Sequence, residues 1–75
     1  MLEKLKNLIL DFADADADSI DENTELRSDL SLNSLDIVNI AVAIESEFNI
    51  NIDENRLMKM RTVGEVAKYI EEKQG

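Results

Sequence analysis

The side chain best suited to chemistry in this sequence is a serine, Ser34, at the predicted start of a helix. The preceding Asn33 is a good N-cap, and with Asp36 three residues later it forms a pair that resembles a capping box. With Asn33 as the cap, Ser34 takes the first helical position and its hydroxyl faces solvent. A phosphodiester attached there would lie near unpaired backbone N–H groups. The alternative is that Ser34 is itself the N-cap and has only that structural role.

The amino acids that the sequence lacks narrow the chemistry further. It contains no His and no Cys, which are the side chains that most readily act as general base or nucleophile near neutral pH. Any reactive thiol must therefore come from outside the chain. We expect a protein that is not an enzyme.

Four acids form a second candidate site. Asp14, Asp16, Asp18 and Glu25 fit positions 1, 3, 5 and 12 of an EF-hand loop, with oxygen ligands and spacing suited to Ca²⁺. Ser19, however, stands where the sharp turn of that loop needs Gly, and no helical stripe follows Glu25. A Ca²⁺-binding, EF-hand-like module is thus an alternative function, and we favour weak cation binding of low specificity without a dedicated metal site.

Charge and hydropathy exclude several classes of partner. The net charge is −9, and residues 11–36 hold nine acids against Arg27 alone. Such a field repels nucleic acid and anionic lipid and attracts basic protein surfaces, although an acidic loop that only keeps the protein soluble is an alternative. No apolar run approaches the roughly 20 residues of a membrane span, and the start of the chain does not resemble a signal peptide. We therefore expect a cytoplasmic protein without a membrane span.

Hydrophobic periodicity predicts helices and no sheet, because the longest run of period two is residues 50–52. The fold class is all-α, a small four-helix bundle of three main helices plus one short helix with a long first loop, in a single domain spanning residues 1–75. Ile20, Leu26 and Leu30 are predicted to pin the long loop to the core. The helices are predicted from the first residues to near Ala13, from Ser34 to about Glu47, around Leu57, and from a capping box at Thr62-Val63-Gly64-Glu65 onward. The second of these helices carries an apolar stripe that we predict to face the core, made of Ile37, Ile40, Ala41, Ile44 and Phe48.

The segment from Asp29 to Asp36, D-L-S-L-N-S-L-D, resembles the D-L-G-x-D-S-L-D signature of acyl carrier proteins. The likeness continues at the end of the second helix and at the T-V-G-E start of the last one, and it covers residues 2–72. The resemblance implies that Ser34 receives 4′-phosphopantetheine from coenzyme A. It also implies that the thiol of this arm carries an acyl group as a thioester.

The same resemblance implies the partners of a monomeric carrier. These are a phosphopantetheinyl transferase and acyl-processing enzymes of fatty-acid, polyketide or related biosynthesis, with basic docking surfaces. An aminoacyl carrier of the D-alanyl type is an alternative. An apolar strip lies beside acids on the predicted second helix, so the residues we expect to dock partners are Leu35, Asp36, Val42, Glu45 and Glu47.

Two departures from the signature distinguish this chain from the family pattern. Ser31 stands where the family has Gly, which removes a residue that tolerates positive φ and predicts a tighter or altered loop. Asn33 stands where the family has Asp, which removes a negative charge beside the attachment site. Asn39 and Ser46 also make the second helix less acidic than the resemblance suggests, and we interpret the chain as a specialised carrier.

Overall fold

The computed structural model describes residues 2–74, and helices make up nearly all of its regular structure. Within those residues the only strand-like feature is an isolated antiparallel bridge between Glu25 and Thr62. The predicted all-α fold, with three long helices, one short helix and a long first loop, is confirmed. The elements are α1 (Leu2–Leu10), a 3₁₀ turn (Ala17–Ser19), α2 (Ser34–Phe48), α3 (Glu54–Met58) and α4 (Val63–Gln74).

The core consists of aliphatic side chains from all four helices and from the long loop. The stripe predicted on α2 is buried at Ile37, Ile40 and Ile44. Burying a large aliphatic side chain stabilises the fold by about 1.5–3 kcal/mol, so this stripe fixes which face of α2 turns inward. The largest fully buried side chains are Leu5, Ile9, Ile20, Ile37, Ile44, Leu57, Ile70, Val63 and Val66.

Both ends of α2 are fixed by local hydrogen bonds. The Asp36 amide donates to Asn33 Oδ1 (2.9 Å) and the Asn33 amide donates to Asp36 Oδ2 (3.1 Å), so the predicted capping box is confirmed. At the other end Asn49 adopts a left-handed conformation (φ 54°) and its amide donates to the Glu45 carbonyl. This is a common way for a helix to end, and Asn tolerates it better than most residues.

The start of α4 differs in part from the predicted capping box. The Thr62 hydroxyl accepts a hydrogen bond from the Glu65 amide (3.2 Å), as the box requires. The Glu65 carboxylate, however, accepts from the Arg61 amide (3.1 Å), one residue before the position that a reciprocal box would use. The Glu65 side chain therefore stabilises the turn that enters α4 rather than closing the box on Thr62.

The long loop between α1 and α2 is attached to the start of α4 by backbone hydrogen bonds. The Leu26 amide donates to the Arg61 carbonyl (2.8 Å), and the Gly64 amide donates to the Glu22 carbonyl (2.9 Å). Ile20, Leu26 and Leu30 are buried, which confirms them as the residues that pin the loop to the core. The loop thus holds a fixed position although it carries much of the chain's negative charge.

Ser31 occupies a strained backbone conformation just before the attachment motif. Its φ is 56°, in the left-handed region where glycine is favoured. The flanking side chains, Leu30 and Leu32, are both buried and hold the backbone of residue 31 in this conformation. That the loop is tighter or altered relative to the family stays a prediction. A non-glycine residue in this conformation costs about 1–2 kcal/mol.

The close approach of the loop to α4 predicts the effect of Gly64→Ala. A Cβ at this position would lie 2.7 Å from the Glu22 carbonyl oxygen, so backbone must shift. We expect a loss of about 1–3 kcal/mol of unfolding free energy by urea titration. Ala favours the helix over Gly by about 0.8–1 kcal/mol, so without the close contact the substitution would stabilise the protein. A loss of stability therefore indicates the contact. Lys68→Ala, at an exposed position of α4, is the control and should change stability by no more than about 0.5 kcal/mol. A stabilised Gly64→Ala would contradict this packing.

The left-handed conformation at residue 31 predicts that Ser31→Gly stabilises the protein. Glycine removes the conformational cost at residue 31, but its greater freedom in the unfolded chain cancels about 0.4–1 kcal/mol of that relief. The net gain in unfolding free energy is roughly 0.5–1 kcal/mol. Asn49→Gly is the matched control, because its φ is nearly the same and Asn already tolerates it. The gain at residue 31 should exceed that at residue 49 in the same urea titration. Equal gains would mean that Ser31 is not strained.

Candidate functional site

Ser34 is the first residue of α2, and its side chain is exposed. The cap of the helix is Asn33, so the interpretation of Ser34 as the N-cap is wrong. Because the capping box uses the Asn33 and Asp36 side chains, the Ser34 hydroxyl is left for other chemistry. A side chain at this position can be modified without removing the interaction that starts the helix.

The first turn of α2 favours an anion attached to Ser34. The Asp36 amide is bonded to the Asn33 side chain and the Ile37 amide to the Asn33 carbonyl (3.1 Å). Helix geometry gives the remaining first-turn amides, those of Ser34 and Leu35, no partner within the helix. These two N–H groups and the positive end of the helix dipole suit a phosphate oxygen. The residues present therefore fit a phosphodiester arm at Ser34.

The outward face of α2 carries an apolar strip, which we define as Leu35 and Val42. The two side chains are 68% and 54% exposed and are the exposed large hydrophobic residues among residues 2–74. Seven residues apart on a helix, they project within about 20° of one another. By the same rule Asn39 and Ser46 lie along this strip, so its centre carries no charge.

Three predicted docking acids lie beside the apolar strip rather than on it. At about 100° per residue, Asp36 and Glu47 fall on one side of it and Glu45 on the other. Asp36 belongs to the capping box, and the half-buried Glu45 accepts a hydrogen bond from the Ile52 amide (2.9 Å). Glu47 is exposed on the α1 side, near Lys4. Two of these acids therefore also have structural roles, Asp36 at the start of α2 and Glu45 in holding the segment that follows its end.

The four acids of the hypothetical EF-hand do not form a site. Among residues 2–74 no group of three or more acidic, His or Cys side chains is arranged to hold a metal ion. Glu25 instead pairs with Arg61 at 3.3 Å, and its backbone forms the bridge to Thr62. The loop that follows Glu25 is not helical, so the second helix of an EF-hand is missing.

Tyr69 is a residue whose role the sequence interpretation missed. Its ring is buried, with only 3% of the residue exposed. Its hydroxyl accepts a hydrogen bond from the Asp53 amide (3.1 Å), and Asp53 is the N-cap of α3. The Arg56 guanidinium lies 4.6 Å and the Lys73 ammonium 5.7 Å from the ring centroid. Tyr69 thus attaches the short α3 to α4. In the sequence, the position of Lys73 four residues after Tyr69 was the signal for a cation near the ring, because residues four apart on a helix are neighbours.

In the part of the chain that the structure covers, residues 2–74, no helix combines the length and apolar character that crossing a bilayer requires. This agrees with the sequence, in which charged residues interrupt every apolar run well before the roughly 20 residues of a span.

Comparison with known proteins gives the same family along the whole chain. A family model described as a phosphopantetheine attachment site matches residues 3–70. The acyl carrier protein of Picosynechococcus sp. is 43% identical over 75 residues, which are all of this chain and 93% of that protein. Those of Lactobacillus acidophilus and Thermotoga maritima are 39% and 36% identical, again over the full chain and over 94% and 93% of the relatives.

These names agree with the acyl carrier interpretation and give no support to the aminoacyl or Ca²⁺-binding alternatives. The match of the attachment-site model to most of the chain, with relatives aligned along its full length, shows that the chain belongs to the phosphopantetheine-dependent acyl carrier protein family.

Proposed function

We propose that Ser34 is the attachment point of the 4′-phosphopantetheine arm on which this chain carries acyl groups as thioesters. The observation that carries this assignment is the capping box of Asn33 and Asp36, which leaves an exposed hydroxyl at the first position of α2. The unpartnered amides of the first turn give the phosphate of the arm a favourable place.

The attachment reaction needs chemistry that the chain does not supply. The Ser34 Oγ forms a bond to the phosphorus of coenzyme A that bears the pantetheine, the bond from that phosphorus to the rest of the pyrophosphate breaks, and 3′,5′-ADP leaves. We assign the base that takes the hydroxyl proton to the transferase, because the chain has no His and the nearby Asp36 carboxylate already accepts a hydrogen bond from the Asn33 amide. The chain contributes an exposed nucleophilic hydroxyl at a helix start that favours anions. It performs no catalysis of its own.

The same proposal covers the cellular role of the chain. Its partners are a phosphopantetheinyl transferase and acyl-processing enzymes of fatty-acid, polyketide or related biosynthesis, which it meets as a monomer and as one domain of residues 1–75. The donor of the arm, coenzyme A, is an intracellular metabolite, and a chain without Cys has no use for an oxidising compartment. We therefore place the carrier in the cytoplasm.

Partner enzymes dock on the outward face of α2 in this proposal. The apolar strip supplies an uncharged centre, and Asp36, Glu45 and Glu47 supply acids on both sides of it. Interface centres contribute most of the affinity, whereas charges at the rim mainly accelerate association. A standard interface of about 800 Å² per partner is wide enough to cover the whole helix, whose length is about 22 Å.

Ser34→Ala tests the attachment site. Incubated with coenzyme A and a broad-specificity phosphopantetheinyl transferase, the unmodified chain should gain the mass of one arm and the variant should gain none. Ser28→Ala is the matched control, since Ser28 is also exposed in the same region. It should be loaded like the unmodified chain. Loading of Ser34→Ala at any residue would overturn the assignment.

The docking face is tested by pairing a rim variant with a variant of the strip. Glu47→Lys is preferred to Asp36→Lys because Glu47 has no part in capping. It should lower kcat/KM of transferase loading several-fold at low ionic strength and have little effect near 0.5 M salt, where screening acts over about 4 Å. Val42→Asp should lower it about tenfold or more at either salt concentration, because an apolar centre is not screened.

Controls separate these effects from general changes of charge and stability. Glu71→Lys makes the same charge change at an exposed position of α4 and should leave loading unchanged. Val42→Ala keeps the strip uncharged and should lower kcat/KM less than Val42→Asp. Circular dichroism should be that of the unmodified chain in every variant. Strong effects at residue 71 together with none at residues 42 and 47 would place the docking face elsewhere.

A further inference from the structure

A cationic groove lies between the long loop and the segment that connects α3 to α4. It has a volume of about 190 Å³, with Arg27 and Ser28 on one wall and Met58, Lys59, Met60 and Arg61 on the other. We call these residues the cationic groove. Arg27 Nη2 donates to the Met58 carbonyl (3.4 Å), so the two walls are in contact although they are about thirty residues apart in the sequence.

The groove concentrates positive charge in a chain whose net charge is −9. Three of its eight basic residues, Arg27, Lys59 and Arg61, line this one small space, and all three are exposed. The Glu25 carboxylate, 3.3 Å from Arg61 Nη2, is the acid that shares the lining.

The other acids near this wall are engaged by the backbone. Asp29 accepts a hydrogen bond from the Glu25 amide (2.8 Å), and Glu65 accepts one from the Arg61 amide (3.1 Å). Their negative charge is therefore directed at N–H groups rather than into the groove. Arg27 and Lys59 remain as the cations best able to meet an incoming anion.

Hydrogen bonds connect the groove to the chain just before Ser34. The Leu26 amide donates to the Arg61 carbonyl (2.8 Å), and the Leu32 amide donates to the Leu26 carbonyl (3.1 Å). Leu32 precedes Ser34 by two residues, so the path from Arg61 to Ser34 is no longer than about 21 Å with ordinary backbone dimensions. From Oγ to sulfur a phosphopantetheine arm has nearly as many bonds as five extended residues, so it spans about 16 Å, and an acyl chain of a few carbons adds about 5 Å. An acyl group at its end can therefore reach the groove.

The size of the groove favours a small occupant over a protein surface. Its volume equals that of about six water molecules at roughly 30 Å³ each, which suits an acyl chain of a few carbons. A protein partner needs about 800 Å² on its own side, far more than this groove offers. The half-buried Met58 and Met60 provide adaptable apolar contacts for methylene groups.

We propose that the cationic groove receives the free carboxylate of a short acyl cargo, a half-thioester of a dicarboxylic acid, with the carboxylate at Arg27 and Lys59 and its methylenes on Met58 and Met60. This inference rests on the proposed arm at Ser34. An exposed ion pair is weak on its own, so a free diacid would not stay bound. Tethering raises the local concentration of the carboxylate to the millimolar range, at which a weak site becomes occupied.

The experiment compares two cargoes of equal length on the full chain. The chain is loaded from glutaryl-coenzyme A or pentanoyl-coenzyme A with a broad-specificity transferase, and loading is verified by intact mass. In ¹H–¹⁵N spectra the glutaryl form should differ from the pentanoyl form at the amides of Arg27, Lys59 and Met60. These differences should fall by at least half in Arg27→Gln/Lys59→Gln and in 0.5 M salt. They should be unchanged in Lys68→Gln, the control on exposed α4.

The outcomes distinguish this inference from the proposed function. If Ser34 is not loaded, the mass spectrum shows it, and the inference is overturned together with the attachment site. If both cargoes load and their spectra agree at the groove, or if the double variant keeps the full differences, the inference alone is overturned. Free glutarate at 0.05 mM, far below the millimolar concentration that the tether provides, should give less than a tenth of the shifts, and equal shifts would overturn the inference.

Discussion

The position of Ser34 at the start of α2 depends on how the long loop is attached to the start of α4. The loop carries much of the chain's negative charge, and self-repulsion of that kind favours an expanded segment. Backbone hydrogen bonds to Arg61 and from Gly64, together with buried aliphatic side chains, keep it in place. Because the loop ends at Asn33, its attachment determines where α2 begins and therefore where the Ser34 hydroxyl stands.

The same attachment separates two kinds of surface around Ser34. On α2 the centre of the outward face is apolar and uncharged, with acids set to its sides. On the other side of the loop, residues 58–61 and Arg27 form a basic surface that is smaller than a protein interface. In our proposal, the acyl group on an arm attached at Ser34 has access to both, since the hydrogen-bonded path between the two regions is about as long as the arm together with a short acyl chain. Docking of enzymes and retention of cargo can thus use different residues of one small domain.

How much of this could be predicted from the sequence depends on the distance over which each interaction acts. The capping box of Asn33 and Asp36 spans four residues and was predicted correctly, as was the buried stripe of α2. The box at Thr62 was wrong in part, because Glu65 had a choice between two amides and local spacing does not decide between them. The bond from the Asp53 amide to Tyr69 and the meeting of Arg27 with Met58 join residues that are far apart in the sequence. No periodicity in the sequence indicates such pairs.

Ser31 shows how the loop tolerates a departure from the family signature. Residue 31 has a left-handed φ, a conformation that glycine adopts readily and serine rarely. A conformational cost of about 1–2 kcal/mol persists when the surrounding contacts stabilise that backbone conformation by more than this amount. Here Leu30 and Leu32 are buried on both sides of residue 31, and the Leu32 amide is bonded to Leu26. These contacts therefore hold residue 31 in its strained conformation, and the exposed side chains of Ser31 and Asn33 lie close to Ser34 in the sequence.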